Sequence, residues 1–194
     1  MQQINPPDTS TLRPDLQESL THGHIDPSKL STFQRIILTT DGTLTEILEA
    51  YLFEKIQIVK LSEEVIAISQ DILPLDLEIG SEIIERKVLL QGKISRNNWI
   101  YAESVIVPNR LDEKYRERLL KSKETIGRLW LEHRVETFKE IVYSSLEQAG
   151  DLAGYFKIKP EDILLSRTYR AFSNRKPIMM ITEKFPESYF LKDF

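Results

Sequence analysis

The run Ile83-Ile84-Glu85-Arg86-Lys87-Val88-Leu89-Leu90, then Gly92-Lys93-Ile94-Ser95-Arg96-Asn97-Asn98, then Trp99-Ile100-Tyr101-Ala102-Glu103-Ser104-Val105-Ile106-Val107, decides the fold class. Two segments rich in β-branched and aromatic residues flank a short connection of Gly, Ser and paired Asn, the residue types that turn a chain back on itself. A hairpin of this kind makes its two strands antiparallel. Working outward, further β-rich runs occupy residues 163–172 and 178–185. Period-2 alternation begins at Lys55, with Ile56 and Ile58 against Lys55, Gln57 and Lys60, while residues 135–143 fit helix or strand equally. Helical signals frame these runs. Asp26-Pro27 reads as an N-cap followed by proline at the first helical position, ahead of Leu30, Phe33 and Ile37. Thr40-Asp41-Gly42-Thr43 starts a second helix, with Leu44, Ile47, Leu48 and Tyr51 on one stripe, and the charged stretch 112–123 reads as a solvated helix. Short helices around a mostly antiparallel sheet make an α+β domain. Residues 1–26, rich in Pro, Thr, Ser, Asp and Gln, read as a loose N-terminal arm ahead of a single domain over 27–194.

Composition sets the outer limits. With 194 residues, 41% hydrophobic and 29% charged, the chain is globular and long enough for one core. Twenty-six Lys and Arg against 30 Asp and Glu leave a net charge of −4, which argues against a nucleic-acid partner. The absence of cysteine excludes disulfides, Cys-based zinc sites and thiol catalysis. The start, Met1-Gln2-Gln3-Ile4-Asn5-Pro6-Pro7, lacks the basic and apolar regions of a signal peptide, and no window reaches the ~18 apolar residues of a membrane span. The chain therefore reads as cytoplasmic, and nothing in it requires more than a monomer.

Chemistry enters through charges placed among apolar residues. Side chains at i, i+2 and i+4 share one face of a strand. Arg86 then shares its face with Ile84, Val88 and Leu90; Glu183 with Met179, Ile181 and Phe185; Arg167 with Ile163, Leu165 and Tyr169. A charge aimed at the core costs several kcal/mol, roughly, unless it is paired or meets a charged ligand. Two arginines and a glutamate of this kind predict an enclosed site for a small anion carrying one polar group. For any one of the three, the commoner explanation is an internal Arg–Glu pair or an edge position from which the charge reaches water.

Other constellations are weaker. His22 and His24 fall in the arm and His133 stands alone, so no metal site or His-based catalysis is expected. Ser104 and Ser166 have no nearby His or nucleophile-elbow pattern. Gly42 and Gly127 are isolated, far from a phosphate-cradling loop. Trp99 and Tyr101 could stack on bases, but core packing is the default.

The order of several motifs resembles the chorismate pyruvate-lyase family, in its cyanobacterial and mycobacterial branch and more distantly in its enterobacterial, 4-hydroxybenzoate-forming branch. The segments are Leu38-Thr39-Thr40-Asp41-Gly42-Thr43-Leu44-Thr45, Glu85-Arg86-Lys87-Val88-Leu89-Leu90, Thr125-Ile126-Gly127-Arg128-Leu129, Ser166-Arg167-Thr168-Tyr169-Arg170 and residues 176–185, in the family's order over about 33–186. The resemblance implies a single antiparallel sheet flanked by helices, with a buried ligand site under two flaps. It also implies loss of the enolpyruvyl group of chorismate as pyruvate, leaving 4-hydroxybenzoate for quinone or related aromatic biosynthesis such as plastoquinone, without a metal or other cofactor. By similarity, the arginine that holds the ring carboxylate falls on Arg86 and the glutamate near the ring hydroxyl on Glu183. One flap falls on Ile126 and Gly127 and the other near Thr40, Asp41 and Thr43. Enterobacterial members carry an arginine where Glu103 stands, so a carboxylate contact from that strand is in doubt; Arg167 is the alternative holder of the pyruvyl carboxylate. Two readings compete with the lyase. One is a non-catalytic small-ligand sensor of the related effector-binding fold, disfavoured because no helix-turn-helix unit precedes the domain. The other is a structural protein with paired core charges.

Overall fold

The computed structural model describes residues 12–121, 126–132 and 137–191. Six strands, β1 (Ile56–Ala67), β2 (Glu82–Gly92), β3 (Asn98–Ile106), β4 (Phe138–Gln148), β5 (Ile163–Ser173) and β6 (Lys176–Pro186), form one sheet in the order β1-β2-β3-β6-β5-β4. Every neighbouring pair is antiparallel. The α+β class and the antiparallel sheet thus agree with the sequence reading. The β2–β3 hairpin is secured from outside: the Glu54 carboxylate accepts from the backbone N–H groups of Ile94 and Ser95 at 3.0 Å and from the Ser95 hydroxyl at 2.6 Å. The ambiguous stretch at 135–143 becomes strand from Phe138 onward, pairing with β5, and residues 135 and 136 lie outside the described chain.

The helices are α1 (Pro14–His22), α2 (Thr32–Thr39), α3 (Leu44–Leu52), α4 (Glu113–Lys121), α5 (Ile126–Glu132) and α6 (Ala153–Phe156). Asp26-Pro27 starts only one 3-10 turn, Pro27–Lys29, with the Asp26 carboxylate accepting from the Ser28 N–H. The helix carrying Phe33 and Ile37 begins later, because Ser31 and Gln34 form a reciprocal capping box at 3.1 and 3.0 Å. Thr43 occupies the N-cap position of α3, as the Thr40–Thr43 signal predicts.

The expectation of a loose arm over 1–26 is corrected for its later part, and residues 1–11 lie outside the described chain. Pro14–His22 is a helix whose Leu16 and Leu20, one turn apart, are buried against the sheet. Its narrow apolar stripe among polar residues left little periodicity to read. The helix lies close on β4: Ser19 Oγ donates to Ser144 Oγ at 2.7 Å, and a Cβ added at Gly23 would sit 2.1 Å from the Ser144 carbonyl oxygen.

One face of the sheet, the face of Arg86, Val88 and Leu90, is covered by helices and carries two apolar clusters. One joins Phe33, Ile37 and Leu48 to Leu90 and Phe185; the other joins Leu119 and Trp130 to Ile106, Ile141 and Tyr169. The opposite face packs Leu89, Tyr101 and Leu164 against Phe156 of α6. No described helix is long and apolar enough to cross a membrane.

Gly23→Ala forces the end of α1 away from a backbone carbonyl that cannot swing aside. The expected loss is about 1–3 kcal/mol, the usual cost of overpacking, read as a lower urea midpoint with unchanged slope.

Candidate functional site: a cationic cavity between two apolar clusters

All three charges that strand alternation turned toward the apolar side are buried: Arg86 is 2% exposed, Arg167 1% and Glu183 5%. They meet two different fates. Arg167 and Glu183 are direct cross-strand partners of β5 and β6, and Arg167 Nε donates to Glu183 Oε2 at 2.7 Å. Arg167 Nη1 donates to the Thr40 carbonyl at 2.9 Å, and the Tyr169 hydroxyl donates to Glu183 Oε1 at 3.3 Å. Arg167 stands behind Glu183 and does not line the cavity described next. For this residue the internal ion pair, the commoner explanation, holds.

Arg86 is the reverse case. Among the described residues, none of its three guanidinium nitrogens has a hydrogen-bond partner, although Glu63 Oε2 lies 3.5 Å from Nε. Glu63 is itself bonded to Lys60 at 2.7 Å. Burial lowers the Arg86 pKa from its ordinary value, and the Glu63 charge opposes this; a guanidinium nevertheless stays protonated in proteins. Five N–H donors in a fixed fork, buried and unbonded, are arranged for a carboxylate.

Arg86 faces a cavity of about 50 Å³ between the two apolar clusters. Glu183, Lys139 and Ser104 add polar groups to its walls, and Val88, Ala102, Ile181 and Trp130 supply apolar surface. Lys139 belongs to the site although the sequence reading did not name it. Its ammonium donates to the Gly42 carbonyl at 2.7 Å and lies 5.1 and 5.5 Å from the ring centres of Trp130 and Tyr169. Burial pulls its pKa below the ordinary lysine value; Glu183 and Asp41 oppose this, and the Arg167 charge adds to it. Lys139 alternates with buried Ile141 along β4. That signal was legible only once 135–143 could be taken as strand.

The structure places the residues expected in the two flaps differently. Ile126 and Gly127 line the cavity. A Cβ at Gly127 would come within 2.4 Å of Thr43 Cγ2, so glycine is what lets α5 close on the start of α3, and Arg128 Nη2 donates to Glu49 Oε1 at 2.9 Å across the same seam. Thr40 and Asp41 do not line the cavity, a correction to the expected first flap. The Thr40 carbonyl is taken by Arg167, and Asp41 pairs with Arg13 at 3.0 Å on the surface. The Thr40 hydroxyl accepts from the Gly42 N–H at 3.0 Å, a local turn that delivers Thr43, Leu44 and Thr45 to the cavity instead. Glu103 accepts from the Tyr101 hydroxyl at 2.7 Å on the other face of the sheet. It does not line the cavity, whose β3 side carries the small residues Ala102 and Ser104. His22 is exposed on α1, and His133 lies outside the described chain. Among the described residues no cluster of three His, Asp or Glu could hold a metal ion.

The protein is thus an α+β domain with a single antiparallel sheet, whose helix-covered face holds a cavity lined by Arg86, Lys139 and Glu183 among apolar side chains. The chain matches the family described as chorismate pyruvate-lyase, Rv2949c-like, over residues 38–192, and belongs to it. It is 31% identical over 169 residues to the chorismate pyruvate-lyase of Mycobacterium leprae, covering 84% of this chain and 78% of that one, and 27% identical to that of Mycobacterium tuberculosis H37Rv over 84% and 83%. The putative lyase MJ0807 of Methanocaldococcus jannaschii is 26% identical over 157 residues, covering 78% and 77%. Among solved structures, PhnF from Mycobacterium smegmatis shares the fold at a TM-score of 0.58 and 9% identity, covering 90% of this chain and 86% of that one. Its effector domain alone gives 0.57 at 10% identity over 75% and 88%.

The lowered Lys139 pKa has a signed consequence. Above that pKa and below the unfolded value of about 10.4, the unfolded chain binds more protons at this site than the folded one, so stability rises with pH there. The stability of wild type relative to Lys139→Met is therefore expected to increase as the pH is raised toward the unfolded value of about 10.4 in urea titrations, and a difference independent of pH up to that value contradicts the shift.

Proposed function

We propose that this protein is a chorismate pyruvate-lyase in activity as well as in family, forming 4-hydroxybenzoate and pyruvate from chorismate. The observation that carries the reading is Arg86: a buried guanidinium whose three nitrogens have no hydrogen-bond partner among the described residues, with Glu63 standing off at 3.5 Å, facing a cavity that also holds Lys139 and Glu183. Such an arrangement is costly without a carboxylate to meet it.

In this reading Arg86 grips the ring carboxylate in a bidentate fork, and Glu183 accepts from the ring hydroxyl. Arg167 serves Glu183: held between that carboxylate and the Thr40 carbonyl, it fixes the glutamate's position and does not reach the substrate. The carbon bearing the ring hydroxyl loses its hydrogen, the neighbouring C–O bond to the enolpyruvyl group breaks, and the ring becomes aromatic. The departing enol keeps the bonding electron pair on oxygen and becomes pyruvate when its methylene carbon takes up a proton. Aromatisation supplies the driving force, so the protein's task is to bind two carboxylates, exclude water and hold the reacting atoms in register. Orientation of that kind accounts for up to ~7–11 kcal/mol of barrier in well-aligned systems, and fixed positive charge near the leaving oxygen adds to it.

The cavity's free volume is about 50 Å³, a third of the roughly 150 Å³ that holds benzene in an engineered cavity. Admission of the ring therefore requires α5 to separate from the start of α3. Turnover is then sensitive to the seam between Gly127 and Thr43.

Incubation of purified protein with chorismate should release pyruvate and 4-hydroxybenzoate in equal amounts; release of neither by folded protein defeats the reading. Binding of 4-hydroxybenzoate without turnover of chorismate favours ligand sensing, in line with the fold shared with regulator effector domains. Arg86→Met should lower kcat/KM by roughly a hundredfold or more, since a buried charge contact is worth about 3–5 kcal/mol. The same variant should change the urea midpoint only slightly, because the 3.5 Å contact to Glu63 is lost along with a poorly bonded buried cation, while Glu63 keeps its bond to Lys60.

A further inference from the structure

We infer that Lys139 is the second carboxylate-binding group of this site, opposite Arg86, and that it sets a preference for dianionic ligands with an acid group at each end. The inference rests on the lyase reading for the identity of the natural ligand, but its physical grounds are separate.

Lysine is rarely buried to this degree, 8% exposed, unless it is paired. Among the described residues no carboxylate lies within ion-pair distance of Lys139; its hydrogen bond goes to the neutral Gly42 carbonyl. An ammonium has three donors, and this one lines the cavity. Trp130 and Tyr169 flank it with their rings, which stabilise the cation electrostatically while keeping water from solvating it fully.

Placement and charge agree. Lys139 projects from β4 and Arg86 from β2, with β3, β6 and β5 between them in the sheet. Four strand spacings of about 4.8 Å put the two backbones roughly 19 Å apart, and both long side chains reach into the same cavity from opposite sides. Glu183 lies between them on β6 but is neutralised by Arg167, and Glu63 beside Arg86 is neutralised by Lys60. Two positive charges remain for the cavity, the complement of one dianion. No cation comes from β3, whose cavity positions are Ala102 and Ser104. Arg167, the other candidate for the second carboxylate, is fully engaged behind Glu183.

The test uses two unreactive aryl ethers, 3-(carboxymethoxy)benzoate and 3-methoxybenzoate, which differ in the carboxylate at the ether end. In isothermal titration at pH 7.5, wild-type protein should bind the diacid at least tenfold more tightly than the monoacid. Lys139→Met should reduce that preference to twofold or less while leaving 3-methoxybenzoate affinity within about threefold of wild type. Lys139→Gln, which keeps a donor for the Gly42 carbonyl, should behave the same way, and Lys139→Arg should retain the preference. If the Met variant fails to fold, the Gln and Arg pair decides. A wild type without preference, a preference surviving in the Gln or Met variant, or equal weakening of both ligands overturns the inference. Failure of the lyase reading shows up separately, as wild-type protein that prefers the diacid yet releases no pyruvate from chorismate.

Discussion

Near the middle of the sheet an arginine of β5 and a glutamate of β6 face each other, bonded at 2.7 Å, and the arginine's other arm holds the Thr40 carbonyl in the connection between α2 and α3. The pair ties two strands to the chain that forms one wall of the cavity. Both ions are out of water, so removal of either partner strands the other at a cost of about 3–5 kcal/mol, whereas an apolar pair of matching volume could be as stable. What the ion pair provides beyond cohesion is a carboxylate held at one position on the cavity wall, with its charge already balanced. The remaining cations, Arg86 and Lys139, are then left to define what the cavity attracts.

The cavity exists because the helix-covered core is divided. One apolar cluster gathers around Phe33, Ile37 and Phe185, the other around Leu119, Trp130 and Met179. Between them β3 presents only Ala102 and Ser104, so neither cluster fills the gap. The charged side chains occupy its rim and α5 roofs it over, brought down by the missing Cβ of Gly127 and the Arg128–Glu49 bond. Leu129 and Trp130 bury into the core from this short helix. Trp130 is at once an anchor of the roof, a wall of the cavity and one of the rings beside the Lys139 ammonium, so movement of α5 alters the environment of that cation directly.

Strand alternation was a sufficient guide wherever a run was long, β-branched and bounded by turn residues. It placed Arg86, Arg167 and Glu183 on the buried face, where the structure has them. It could not say which charge each buried charge faces, because that depends on register between strands: Arg167 opposes Glu183 and bonds it at 2.7 Å, whereas Arg86 opposes Ser104 on β3 and Glu63 on β1, the latter only at 3.5 Å. The register leaves Arg86 unpaired on β3 and makes Arg167 structural. Lys139 escaped notice because a lysine flanked by Phe138 and Glu140 fits a helix surface as well as a strand, and only the pairing of β4 with β5 resolves the period. Helix α1 was obscured for a similar reason, since Leu16 and Leu20 form a stripe two residues wide whose stabilisation comes from close approach to β4 at Gly23 and not from its own pattern.

A net charge of −4 argues against large polyanions, which sample the whole surface field. A small ligand in an enclosed, low-dielectric site responds to the few charges within several ångströms, where interactions are far stronger than across solvent. Here those charges sum to about two positives once Arg167 with Glu183 and Lys60 with Glu63 are cancelled. The acidic exterior and the cationic interior therefore act on different partners. Desolvation lowers the pKa values of Arg86 and Lys139 alike, so each is bound less comfortably empty than filled. On the proposed lyase reading, a dianion that enters relieves both at once, and its cleavage into a monoanionic aromatic acid and pyruvate gives two fragments that no longer bridge the two cations. On the same reading, loss of that bridge favours release of the products from an enclosed site.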